Sequence, residues 1–142
     1  MLKSCFHFIH DLSVSLYRRT YGKFGGRVQG LPVLLLRTIG RKTGKERITP
    51  LGYFMDHGNY IITASNAGRD PFPGWFHNLR AHPHVKIEVQ DRQLEAEAEL
   101  ATPEKRNTLW SQLISLSPAY AKYATKRTRE IPLVILHPLK IA

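Results

Sequence analysis

The chain has 142 residues, 42% of them hydrophobic, which suits one domain with a real core. No run of about 18 uncharged apolar residues occurs, and this excludes a helix that crosses a bilayer. Twenty-one Lys and Arg against eleven Asp and Glu give a net charge of +10. Such an excess points to an anionic partner: nucleic acid, a membrane surface, or a ligand with phosphates and carboxylates.

Residues 1–30 read as an N-terminal helix and a glycine-rich link, and residues 31–142 as the main domain. Phe6, Ile9, Ser13, Leu16 and Tyr17 share an imperfect helical stripe, and Gly22, Gly25, Gly26 and Gly30 then break regular structure. His7, His10 and Asp11 interrupt any signal-like stretch, and the single Cys5 allows no internal disulfide. The protein is therefore read as cytoplasmic.

A strand is predicted over Leu34 to Thr38, then a basic turn, Gly40–Lys45. A second strand follows from about Ile48 to Met55, with a turn at Asp56-His57-Gly58-Asn59 and a third strand over Tyr60 to Ala64. Ser65 to Pro73 is a polar loop, and Trp75 to Ala81 suits a short helix ended near Pro83. Val85, Ile87 and Val89 alternate with polar residues, as do Leu94, Ala96, Ala98 and Leu100, which predicts a hairpin with Glu95, Glu97 and Glu99 solvated. Pro103 opens a helix with Thr102 as N-cap, Ser117-Pro118 begins a second through Tyr120 and Tyr123, and Pro132 to Leu136 is a last strand. Five or six strands in hairpin order, without βαβ alternation, argue for a mainly β, α+β fold: an antiparallel barrel with N-terminal, middle and C-terminal helices.

Two glycines bracket a turn that, with the strand after it, carries Arg41, Lys42, Lys45 and Arg47 within seven residues. Backbone amides and cations there make an anion cradle, although a solvated hairpin tip has the same look. It is no Walker A loop, because only three residues separate the glycines and Glu46 follows Lys45. Ser65 and Asn66 leave a strand end, where a flat ligand can approach backbone amides. Trp75 and Asn78 share a helical face, so Trp75 is either an aromatic plate or a core residue. His77, His82 and His84 match no common zinc spacing, and no metal is expected. Tyr120 and Tyr123, beside Lys122 and Lys126, are either packing aromatics or donors to an oxyanion.

Three segments together resemble the deazaflavin (coenzyme F-420)-dependent nitroreductase and quinone reductase family. They are Thr38–Lys45 with Arg47, Thr49 and Pro50; Ala64-Ser65-Asn66 through Pro73, Trp75, His77, Asn78-Leu79 and Pro83; and Pro118–Tyr123 through Lys126, Arg129 and Pro132. The resemblance covers Leu34 to Leu136, about three quarters of the chain. It implies a split β-barrel of the FMN-binding kind and a deazaflavin with a phosphate and a glutamate tail. Lys42 and Arg47 would then pair with phosphate or tail carboxylates, with Arg41 and Lys45 strengthening the field. Thr49 and Pro50 would edge the groove, Ser65 and Asn66 would meet the ring, and Trp75 and Asn78 would line its other side. Tyr123, with Tyr120 beside it, would serve the substrate as hydride passes to a quinone-like or nitro-aromatic acceptor.

The resemblance also implies that residues 1–25 can touch a membrane from the cytoplasmic side. Lys3, Arg18, Arg19, Lys23 and Arg27 flank the apolar stripe, which equally suits a helix covering the barrel. Alternatives are an FMN-binding split-barrel oxidoreductase, a deazaflavin carrier without turnover, and a basic barrel that binds nucleic acid. Tyr53, Phe54 and Tyr60 are not interleaved with cations, which counts against the last. Both a monomer and a homodimer remain open.

Overall fold

The computed structural model describes residues 14, 15, 18, 27, 28, 30–65, 72–125 and 130–139. Asn66, Lys126, Arg129 and most of the predicted N-terminal helix and link lie outside the described residues, although Val14, Ser15 and Arg18 are helical. The other elements are β1 (Arg27–Val28), β2 (Leu31–Ile39), β3 (Glu46–Gly52), β4 (Phe54–Asp56), β5 (Asn59–Thr63), α1 (Gly74–Ala81), β6 (His84–Val89), β7 (Arg92–Leu100), α2 (Pro103–Leu116), α3 (Ala119–Thr125) and β8 (Leu133–Pro138).

The strands form one antiparallel sheet in the order β3-β2-β6-β7-β8-β5-β4, with β1 paired to the start of β2. Hairpin order is thus only partly followed, because β6 docks on β2, and β8 fills the space between β7 and β5. The single strand expected over Ile48 to Met55 is two strands. They stand at opposite ends of the sheet order, yet only Tyr53 lies between them. A sheet whose end strands are joined by one residue must curl upon itself. Tyr53 N–H donates to the Pro32 carbonyl at 2.9 Å, which pins the crossing point beside the start of β2. The result is the mainly β split-barrel architecture with helical decorations.

Curling gives the sheet an inner and an outer face, and several strands bury both. Leu34, Leu36, Tyr60, Ile62, Val85, Ile87, Val134 and Leu136 point inward and pack with Trp75, Phe76 and Leu79 of α1. Outward, Ile61, Leu133 and Ile135 pack under Leu109, Leu113 and Tyr120 of α2 and α3. Val33 and Leu35 also point outward and lie under Val14. This double burial explains the uninterrupted apolar runs in β2 and β8. Truncating a leucine such as Leu35 to alanine in such a layer costs about 2–5 kcal/mol. The N-cap of α2 forms as predicted, with Lys105 N–H donating to Thr102 Oγ1 at 3.4 Å.

Candidate functional site

The basic segment is the connection between β2 and the edge strand β3. Gly40 N–H donates to the Lys45 carbonyl at 2.7 Å, and Gly44 N–H to the Gly40 carbonyl at 2.8 Å. A Cβ on Gly40 would stand 2.8 Å from Thr43 Oγ1, and Gly44 has φ of 70°, so both positions favour glycine. The tight backbone leaves Arg41, Lys42, Lys45 and Arg47 exposed. Among the described residues, none of these four cations pairs with a carboxylate. The tip's own carboxylate, Glu46, is held instead by Arg37, whose Nη2 lies 2.6 Å from Glu46 Oε1. Four free cations with the intervening acid neutralised fit a ligand that carries phosphate and carboxylates.

Register sorts the rest of the candidates. Arg47 opposes Thr38, and Thr49 opposes Leu36, so both share the inner face with the first core cluster. Pro50 opposes Leu35 and belongs to the outer face, where its missing N–H suits an edge strand. Ser65 follows β5 and accepts from Thr63 Oγ1 at 3.3 Å.

Asn78 sits on α1, facing the tip. Its Oδ1 accepts from the Arg41 backbone N–H at 3.1 Å, and its Nδ2 donates to Thr38 Oγ1 at 3.3 Å. A backbone N–H can only donate, so the orientation of this amide is settled by its partners. Both ends are occupied, and Asn78 is a brace between α1 and the tip. Trp75 is 6% exposed and edge-on to Phe76, with centroids 6.2 Å apart, so its ring forms a wall of the inner core.

The two tyrosines divide by burial. Tyr120 is 4% exposed and packs in the outer cluster beside Gly52. A Cβ on Gly52 would lie 3.3 Å from its hydroxyl, so glycine permits the approach. Burial, followed by the neighbouring Tyr123, pushes the Tyr120 phenol up to about 12, which keeps it protonated at neutral pH. Among the described residues nothing hydrogen-bonds this hydroxyl. Tyr123 is half-buried and meets Tyr120 edge-on, with centroids 5.4 Å apart.

Some buried polar groups near the tip escaped the reading of the sequence. Thr38 is buried and anchors Asn78. Glu88, on the alternating strand β6, is buried although its neighbours suggested a solvated face. The signal available was the apolar run of β2: a strand covered on both faces covers part of its neighbour too. Among the described residues, no three of His, Cys, Asp and Glu converge to hold a metal ion. His84 instead stands between Glu95, at 3.3 Å, and Glu97, at 3.7 Å.

Known proteins resemble this chain in sequence and fold. The profile of the family described as "F420H(2)-dependent quinone reductase" matches residues 10–138. A Mycobacterium tuberculosis protein named F420H(2)-dependent quinone reductase is 38% identical over 133 residues, covering 90% of this chain and 87% of its own. The solved structure of an F420-H2 dependent reductase, FDR-A, superposes with a TM-score of 0.69 at 34% identity, over 75% of this chain and 94% of that one. Another solved chain, described as a domain-swapped dimer, gives a TM-score of 0.71 at 29% identity, over 93% and 98% of the two chains. With the curled sheet, the cationic tip and these matches together, the chain belongs to the F420H(2)-dependent quinone reductase family and is a deazaflavin-dependent oxidoreductase.

Proposed function

We propose that the chain delivers a hydride from reduced coenzyme F-420 to a quinone-like acceptor, with nitro-aromatic compounds reduced by the same route. The observation that carries this reading is the tip of the β2–β3 hairpin, where four cations have no carboxylate partner among the described residues and Glu46 is held by Arg37. When bound, the reduced deazaflavin supplies the hydride; the protein supplies position and charge.

Lys42 and Arg47 hold phosphate or tail carboxylates, and Arg41 and Lys45 strengthen the field that draws them in. Thr49 and Pro50 edge the groove, and Ser65 with Asn66 receives the ring. Trp75 acts as a rigid wall, and Asn78 works through the Arg41 backbone that it holds. On the acceptor side, Tyr123 donates a hydrogen bond to the oxygen on which negative charge develops, and Tyr120 keeps a neutral phenol beside it. A proton from tyrosine or water completes reduction.

Titration of the purified protein with deazaflavin, FMN and NADPH, followed by oxidation with menadione, tests the reading. Tight deazaflavin binding that weakens with salt, with turnover, is expected. Preference for FMN would replace the cofactor, and binding without turnover would make the protein a carrier.

Two copies pairing as a homodimer is consistent with the solved relative described as a domain-swapped dimer. Peripheral membrane contact through residues 1–25 rests on Lys3, Arg19 and Lys23, because Arg18 is engaged by Glu88. No described helix is long and apolar enough to cross a membrane. Liposome flotation with and without residues 1–25 decides this point; equal flotation ends the membrane idea.

A further inference from the structure

One carboxylate stands among the tip's own cations. Glu46 follows Lys45 and precedes Arg47, and it is the one acid between Gly40 and Arg47. Among the described residues it pairs with neither neighbour. Arg37 takes it instead, with Nε at 3.2 Å and Nη2 at 2.6 Å from the same Oε1. Strand register explains the choice. Arg37 lies opposite Ile48 on β3 and opposite Lys86 on β6, so paired strands on both sides fix where its stem begins. Ile39 opposes Glu46, which makes Glu46 the diagonal neighbour of Arg37 on the outer face. Arg47 opposes Thr38 and turns inward. The Arg37 side chain is 24% exposed and that of Glu46 41%, so the better-buried guanidinium anchors the freer carboxylate.

The geometry points to Arg37 as a positioning residue for ligand binding: it holds Glu46 on the outer face and keeps the tip from pairing with its own acid. The physical reason is competition. A carboxylate tethered between Lys45 and Arg47 is present near them at high effective concentration, and it seeks the same cations as the ligand's phosphate and carboxylates. Two N–H groups of one planar guanidinium converge on Glu46, a contact that a single ammonium cannot duplicate. Exposed ion pairs are individually weak, so releasing Glu46 costs a few-fold in affinity and not orders of magnitude.

The inference rests on the proposal that the tip binds the ligand's anionic groups. Deazaflavin fluorescence titration of the full-length chain tests both, with folding checked by thermal melting. Arg37→Gln should weaken binding about threefold to fivefold. In a chain that already carries Glu46→Gln, the same substitution should cost less than about 1.5-fold, because no acid remains to be released. Equal losses in the two backgrounds would mean that Arg37 only adds its charge to the field, and no loss in the natural background would mean that Glu46 does not compete. Either result overturns the inference. Repair by Glu46→Gln also separates this role from the 3.9 Å approach of Arg37 Nη1 to Glu88 Oε1, which that substitution leaves in place.

Salt supplies a readout that a distorted hairpin would not move. At about 0.5 M salt the Arg37→Gln loss should vanish, and a loss that persists overturns the inference. Should Arg37→Gln fail to fold, Arg37→Lys keeps the charge and decides: a loss of about twofold that Glu46→Gln removes is expected, and no loss, or one that stays, overturns the role. Lys42→Glu with Arg47→Glu separates the two ideas. If that pair leaves affinity intact, the tip does not bind the ligand; if it abolishes affinity while Arg37→Gln does nothing, only the role of Arg37 fails.

Discussion

The hairpin tip and the tyrosine helix treat polar groups in opposite ways. At the tip, four exposed cations have no carboxylate partner among the described residues, on a tight turn that two glycines permit and the Asn78 brace holds. At α3, the Tyr120 phenol is packed against Leu109, Leu113 and Gly52 and is kept neutral by burial. A flexible polyanionic tail is best met by exposed charges on a stiff frame, since exposure keeps desolvation small. Tyr120 in turn backs the half-buried Tyr123, the proposed donor to the acceptor, which it meets edge-on.

The largest effect should come from attacking the exposed charges. Lys42→Glu with Arg47→Glu changes the tip by four charge units, and at roughly 0.5–1 kcal/mol per exposed unit affinity falls about 100-fold. Fluorescence titration reads the loss, and the salt dependence of binding should flatten with it.

Next comes the frame that holds those charges. Asn78→Ala leaves the Arg41 N–H and the buried Thr38 hydroxyl without partners. A stability loss of about 2 kcal/mol follows, a Tm drop of roughly 6 °C in a melting experiment, and deazaflavin affinity should fall as well.

At the tyrosine helix the comparison sharpens. Tyr123→Phe should lower kcat about tenfold or more while deazaflavin Kd changes less than about twofold. Equal loss of both would assign Tyr123 to cofactor binding instead.

The smallest effect is the alkaline limb of stability. Tyr120 has its folded value raised to about 12 from the ordinary 10.0, so its neutral form favours the folded state. That contribution is fully present below pH 10 and is lost as pH rises through about 12. Denaturant melts from pH 9 to 12 should show the decline, and Tyr120→Phe should remove that part of it.

Much of the fold was legible locally. The alternation in β6 and β7, the Thr102-Pro103 start of α2 and the Asp56–Asn59 turn all act over a few residues, and all formed where expected. The strand expected from Ile48 to Met55 failed because its pattern is continuous while its path is not. Tyr53 crosses from one edge of the sheet to the other, and no local preference records that crossing. At the candidate site, the cationic tip was legible because charge and glycine spacing are local. The engagement of Asn78 and the burial of Glu88 were not.

The sequence alone determined most of the secondary elements, the excess of positive charge and its concentration between Gly40 and Arg47, because these depend on neighbours along the chain. The tertiary structure decided which face each residue joins. Closing the sheet through Tyr53 set Arg47 and Thr49 inward and Pro50 outward, and the helix at Val14 and Arg18 buried Glu88 on the otherwise exposed outer face of β6. Burial of a β-strand's second face depends on what folds over it, and that partner lies 70 positions away for Glu88.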